Sequence, residues 1–415
     1  MRIKAAGLCG IAIGSLTLGL AGVAQAGDSF GAALTGGKVN LDMRYRYENV
    51  DQDNTLKTAN ASTLRTRLGY TTGSFYNISA MLEAENVALV GAENYDSSVN
   101  GNTDHSKVLD PDTSEINQAY LGFSGFSDTV MNLGRQRIIL DNARWIGNVG
   151  WRQNEQTYDS ISLVNKSLPD TQITYGYLSN ANRVLGNESS VGDAGMNSHI
   201  VNVTYSGLSI GTLTGYGYLL NFDADFQAKL TGLAIPQFAD AKTLGVRLAG
   251  SHAVNDSTAL LYTLEYAQQS DYADSASFDA DYLFVELGGT LSGVTVKYGY
   301  ELLGSDNGTS AVQSPLATLH AHNGWADTFA GGTPLTGLVD QSLSVGTKLA
   351  DVNLGLVYHD YAADEGNADY GTEWGFMASK TWEKMYTLGF KYATYDADTL
   401  IVDTDKLWLW GEVKF

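Results

Sequence analysis

The chain is poor in the residues that would make it a helical membrane protein, a disulfide scaffold or a nucleic-acid binder. Cys9 is its only cysteine among 415 residues. Proline is nearly as scarce, with five in all. After the N-terminus no apolar run approaches the length needed for a membrane-crossing helix, and the mean hydropathy is only −0.14. Basic residues number 25 against 46 acidic ones, so the basic surface that tracks nucleic-acid phosphates is missing. The low charged fraction of 17%, together with 11% aromatics, argues against general disorder.

The first 26 residues read as an export signal. Arg2 and Lys4 are followed by an apolar stretch from Leu8 to Val23, and Ala24-Gln25-Ala26 offers a small-x-small cleavage site. Cys9 would leave with that signal, so the chain from Gly27 onward should have neither a disulfide nor a cysteine-bound metal. Loss of the two basic residues Arg2 and Lys4 changes the formal charge from −21 to −23.

From Lys38 onward the hydrophobic period is two, the signature of strands. In 38–49, Val39, Leu41, Met43, Tyr45 and Tyr47 share a face opposite Asn40, Asp42, Arg44, Arg46 and Glu48. The pattern persists to 403–415, where Leu407, Leu409, Val413 and Phe415 oppose Lys406, Trp408, Trp410 and Glu412. No stretch predicts an amphipathic helix longer than two turns. The breaks divide the chain into about 18 strands of roughly ten residues, enough to cross a bilayer at a tilt. Connectors alternate between short (73–76, 125–128, 167–170, 254–256, 382–383) and long (89–114, 139–156, 181–197, 220–241, 304–340). A soluble sandwich has no need of that alternation, whereas an outer-membrane barrel has short periplasmic turns and long extracellular loops.

The expectation is therefore an all-β, antiparallel transmembrane barrel over 27–415 in the outer membrane of a Gram-negative bacterium. All five prolines fall in connectors, where no ladder donor is lost. Tyr45, Tyr47, Tyr175, Tyr177, Tyr216, Tyr218, Trp374, Trp382 and Tyr386 are placed as interface aromatics in contact with outer-membrane lipid. The terminal Phe415 resembles the signal read by the barrel-insertion machinery. No extended apolar face suggests a trimer, so a monomer is expected.

A barrel of this size is too wide for side chains to fill. Parity sends Arg44, Arg46, Arg65, Arg67, Arg247, Glu83 and Glu85 into the lumen, along with Lys297, Lys391, Asp42, Glu265, Glu286 and Glu301. These charges either form a constriction that sorts passing solutes or build cross-strand ion pairs that stiffen a wet wall. Loop 304–340 is the candidate for narrowing or plugging the pore. Asp-x-Asp pairs such as Asp51/Asp53 and Asp403/Asp405 suit a solvated outer surface, and no complete calcium loop is present.

Catalysis is not indicated. Gly27-Asp28-Ser29-Phe30 only faintly resembles a lipolytic nucleophile block, and no His-Glu-x-x-His or Gly-x-Ser-x-Gly motif occurs. His320 and His322 lie on one loop without thiols or carboxylates enough to specify a metal site. No cofactor and no metal is expected.

Two stretches carry a family resemblance. The first runs from Gly134-Arg135-Gln136 through Arg144, Gly147 and Trp151-Arg152 to Thr157-Tyr158-Asp159. The second is the loop word from Pro315 to Asp327, which includes His320 and Gly324-Trp325-Ala326-Asp327. Together they resemble the alginate-export family of outer-membrane porins. The resemblance implies an eighteen-stranded monomeric barrel with passive passage narrowed by long loops. The family's namesake activity relies on an electropositive lumen, whereas here the inferred arginines are matched by acids. Three expectations follow: passive diffusion of small hydrophilic solutes, anionic ones among them; export of an anionic polysaccharide such as alginate; or a non-conducting surface scaffold. Trp325 and Asp327 would either contact solute or pin the long loop.

Overall fold

Backbone groups in lipid find no water, so a spanning sheet must close on itself. This chain does so. The computed structural model describes residues 29–233 and 238–415, and the expected export signal over 1–26 lies outside them. The described residues form one 18-stranded sheet. Its first six strands are β1 (Lys38–Gln52), β2 (Ala59–Thr71), β3 (Ile78–Leu89), β4 (Thr113–Phe126), β5 (Thr129–Gln136) and β6 (Thr157–Asn165). The next six are β7 (Thr171–Asn182), β8 (Asp193–Leu208), β9 (Gly211–Leu220), β10 (Ala241–Asn255), β11 (Thr258–Asp271) and β12 (Asp279–Leu291). The last six are β13 (Val294–Leu303), β14 (Leu338–Leu349), β15 (Val352–Ala362), β16 (Asp369–Trp382), β17 (Tyr386–Ala397) and β18 (Thr404–Lys414).

Each strand pairs antiparallel with its sequence neighbours, and β1 also pairs with β18 from Asp42↔Lys414 to Gln52↔Thr404. Leu41 and Phe415 exchange backbone hydrogen bonds at the end of that seam. Outside, Val39, Leu68, Leu82, Leu121 and Leu133 are among a band of exposed apolar side chains that suits lipid. Four of the five prolines lie in described connectors, and Pro236 lies outside the described residues.

The structure corrects three details of the sequence reading. The upper ends of β1 and β2 run further than the pattern suggested, so their extracellular connector is only 53–58. Tyr216 and Tyr218 belong to no lipid girdle. They point inward and are buried, stacked on one another at 4.9 Å. The connector between β9 and β10 also carries a ten-residue helix, α1 (Ala224–Leu233), where no helix beyond two turns was expected. Phe226 and Leu230, one turn apart, are buried there, and Phe226 meets Phe222 and Phe238 edge-on or tilted. A short helix such as this draws its stability from packing more than from propensity, so its pattern in the sequence is weak.

The lumen is wet at one end and filled at the other. Near the periplasmic end the inward residues Ser251 and Ala253 are exposed. In the extracellular half, segments 90–112, 137–156, 221–233, 238–240 and 304–337 fold inward. A hydrophobic cluster including Ile138, Trp145, Ile146, Leu316 and Trp408 fills the space between them and the wall.

Candidate functional site

Strand β1 places Arg44 and Arg46 on the lumen face because of its alternation, and loop 137–156 then descends onto them. Arg44 donates to the backbone carbonyls of Gly150, Trp151 and Arg152 at 3.2, 2.9 and 2.6 Å, and to Gln153 Oε1 at 2.9 Å. Arg46 is held by the Trp151 carbonyl and by Asp110. Arg67 pairs with Glu85 and faces Glu155 at 3.7 Å. Glu83 accepts from Asn40, Asn117 and Gln118 and faces Arg137 at 3.5 Å. Arg65 pairs with Asp42 at 2.5 Å and Glu412 at 3.4 Å. Arg44, Arg46, Arg65, Arg67, Glu83 and Glu85 are all buried, so these inward charges serve largely to bind an inward loop to the wall. Arg247, paired with Glu265 at 3.2 Å, keeps 18% of its side chain exposed, and the Lys297–Glu286 pair is also partly exposed.

The charge network of loop 137–156 centres on the buried Glu155, with Arg137 and Asn148 partly exposed. Glu155 accepts from Arg137, Asn117 and Asn148. Burial alone would raise the Glu155 carboxyl, but Arg137 and Arg67 hold it well below the usual range. Arg144 packs over Tyr282 and faces Glu301 at 2.9 Å without hydrogen-bond alignment. Gln136 is inward and takes a hydrogen bond from Ser162 at 2.8 Å. Arg135 is outward, and its guanidinium makes a two-pronged contact with Asp159 at 2.7 and 3.1 Å.

Loop 304–337 meets loop 137–156 in the middle of the barrel. Gly147 N donates to Leu316 O at 2.8 Å, and Thr318 N to Ala143 O at 3.0 Å. Beyond the contact, Gly324 has φ +86°, and a side chain there would collide with Glu373 and Tyr361. That backbone shape aims the amides of Trp325 and Ala326 at the Glu373 carboxylate on β16. The loop word therefore carries its own fastening. Asn323 adds hydrogen bonds to Glu301 at 2.6 Å and Asp340 at 3.0 Å.

At the end of this word Asp327 gathers three partners: Lys406 at 2.9 Å, His320 at 2.7 Å and Arg152 at 3.5 Å. Burial opposes its charge, but Lys406 and His320 outweigh it and hold the carboxyl well below its ordinary range. Lys391 donates into His320 Nε2 at 3.0 Å, which places the imidazole proton on Nδ1, toward Asp327. Burial pushes His320 down to about 3 and His322 down to about 4, so both are neutral in this structure at ordinary pH. Lys391 also lies 3.7 Å from the Trp151 ring centre and 4.4 Å from that of Trp325.

Above this cluster a cavity of about 380 Å³ opens toward the extracellular side. Lys107, Arg152, Arg183 and Lys406 bring positive charge to it and Asp327 the negative charge, while Val50, Val149 and Val184 are among its apolar walls. The size suits a small organic molecule. Arg183 lies over the Phe238 ring at 4.4 Å, and burial lowers its guanidinium to about 10. Of the residues that assemble here, Arg183 and Glu155 were not named from the sequence, Asp110 belongs to an Asp-x-Asp pair read as solvated surface acid, and Lys406 was placed opposite the apolar face of its strand without a role. Lys406 shares strand parity with Trp408, which was the available signal.

Comparison with known proteins accords with this geometry. Residues 37–305 match the alginate-export family. Sequence comparison with curated proteins finds no match. Among solved structures, OccAB4 of Acinetobacter baumannii superposes with a TM-score of 0.70 at 13% identity, covering 91% of this chain and 98% of its own. OccK9 (OpdG) of Pseudomonas aeruginosa gives 0.70 at 12% identity, over 92% of this chain and 100% of its own. OpdK of the same organism, solved with vanillate, gives 0.70 at 11% identity, over 92% and 99%.

Proposed function

We propose that this chain, which belongs to the alginate-export family and forms an 18-stranded barrel of the Gram-negative outer membrane, is a channel for small organic anions. The extracellular cavity carries the reading. Four cations, Lys107, Arg152, Arg183 and Lys406, border it against the single carboxylate of Asp327, and apolar side chains form much of the remaining wall. A carboxylate or similar anion with a compact apolar body matches that balance of charge and surface. Vanillate, with which the structurally similar OpdK was solved, is an aromatic carboxylate of this kind.

The same geometry favours a small solute over a polysaccharide. Loops 137–156 and 304–337 are bonded to each other across the lumen through Gly147–Leu316 and Ala143–Thr318. A polymer would have to part them, whereas a molecule of the cavity's size need only pass beside them. Family membership keeps polysaccharide export as the second reading.

Purified protein in a planar bilayer tests the proposal. Discrete conductance steps in potassium chloride are expected, with a reversal potential favouring anions and a current reduced by millimolar benzoate. Lys406→Gln should weaken the benzoate effect. Silent membranes with folded protein would refute the channel. Block by a soluble polyuronate in place of benzoate would favour the exporter.

A further inference from the structure

Strand β5 stops at Gln136, and the chain turns inward there. Strand β4 continues upward to Thr113, but β5 pairs with it only from Ala119 to Phe126. On the far side β6 stops at nearly the same level, with Tyr158 opposite Gln136 and its first residue at Thr157, so the next element is the end of β7 at Asn182. Two strands are therefore missing from the upper wall between β4 and the end of β7, a gap of about 14 Å at three strand spacings. The edge of β4 exposed by that gap is partly satisfied by Arg135, whose guanidinium donates to the Ile116 carbonyl at 3.1 Å.

A cavity of about 420 Å³ occupies the notch, with Ser114, Glu115, Arg135, Asn182 and Asn187 among its walls. Arg135 and Asp159 face outward, the side of the exposed leucines. Arg135 lies seven residues above the Asp128 turn, roughly 18 Å of height at about 3.3 Å per residue and a tilt near 40°. That height lies in the outer part of the apolar band, which is about 25 Å tall. Loop 183–192 closes the notch from above, tied by the Asn187 amide to Glu115 at 2.6 Å and by Arg183 to the Val191 carbonyl at 2.9 Å. Arg183 also lines the extracellular cavity described above. It makes no ion pair among the described residues, so it stands between the two spaces without a carboxylate to hold it.

We propose that the notch is a side entrance, through which an amphiphilic organic anion passes from the membrane boundary into the extracellular cavity, with Arg183 as the group it meets on the way. An anion with an alkyl or aryl tail concentrates at that boundary, because each methylene it buries there is withdrawn from water. An opening at this height receives such a molecule at its concentrated surface, while short hydrophilic anions use the axial mouth. The inference rests on the channel reading, and the experiment separates the two.

The test uses Asn187→Cys in the otherwise cysteine-free mature chain, alkylated after folding with a bulky maleimide. Asn187 is exposed and lines the notch. Entry of octanoate and acetate into proteoliposomes is compared before and after modification, with modified Asp274→Cys in a distant loop as the control. Octanoate should lose its advantage over acetate in the Asn187 adduct alone, while the potassium chloride conductance stays unchanged. A second closure, the Thr113→Cys/Gly186→Cys disulfide, should reproduce the loss and release it on reduction, since a Cβ on Gly186 would lie 3.4 Å from that of Thr113. Normal conductance with octanoate entry unaffected by stoichiometric modification would overturn the side entrance and leave the channel standing. Absence of conductance in the unmodified protein would overturn both.

Discussion

The imidazole of His320 lies flat on the indole of Trp151, with ring centres 4.8 Å apart and planes 1° from parallel. One ring belongs to loop 304–337 and the other to loop 137–156, so the stack joins the two segments that fill the barrel. Trp408 of β18 meets both rings edge-on, at 5.8 Å from Trp151 and 5.5 Å from His320.

Trp151→Ala should loosen that junction without opening the wall. Trp151 is partly buried, so removing its indole costs less than the roughly 3–5 kcal/mol of a fully buried one, and the cost is borne here by the loops. Single-channel records should show more frequent and larger current fluctuations, while the folded barrel keeps its characteristic gel mobility before heating. Quiet currents identical to those of the parent would show that the stack holds nothing in place.

Acidification should act through the two loop histidines. Their folded values, about 3 for His320 and about 4 for His322, lie below the ordinary 6.5. The unfolded or released loop therefore binds protons that the closed loop does not, and closure loses free energy as pH falls from about 6.5 toward those values. Asp327 works in a lower window: its depressed carboxyl stabilises the closed form fully above about 4 and fails only below that. Current fluctuations should grow between pH 7 and pH 5, and His322→Gln should flatten the dependence. Equal noise at both pH values would contradict this.

Glu155→Ala should be among the most damaging single changes. It leaves Arg137 and Arg67 without their shared buried carboxylate and frees Asn117 and Asn148, at a cost of about 3–5 kcal/mol. The urea midpoint, followed by tryptophan emission, should fall clearly. The exposed pair Lys57–Asp104 provides the contrast, and Lys57→Ala should leave the midpoint nearly unchanged.

Gly324→Ala tests the fastening of the loop word. The substitution places a methyl group at φ +86° against Glu373 and Tyr361, so the Trp325 and Ala326 amides can no longer meet the carboxylate. Protease should then cut within 304–337 while the strands remain protected. An uncut loop would mean that Asn323 and Asp327 hold it alone.

Much of the fold was legible because a two-residue period survives any tertiary arrangement of the strands. It placed Arg44, Arg46, Arg65 and Arg67 on the inner face before any contact was known. What covers that face was not legible. Whether an inward arginine meets water or a loop carbonyl depends on where residues 150–152 come to rest, which strand parity does not encode. Tyr216 and Tyr218 went astray for the same reason, since strand-end aromatics read alike whether lipid or a folded loop lies beside them. The Gly324-Trp325-Ala326-Asp327 word was visible, but its partner Glu373 lies 49 residues beyond Gly324 and carries no local mark.

The seam between β1 and β18 has a consequence for how the molecule is made. Every other rung of the ladder joins strands adjacent in the chain and can form once the next turn is laid. The last rung joins Asp42 to Lys414 and must wait until nearly the whole polypeptide has been delivered. Until then the growing ribbon has raw borders whose amides and carbonyls neither lipid nor neighbour can serve. Shortening the chain by a single strand should therefore yield no narrower hoop, but a product kept by periplasmic chaperones and finally degraded.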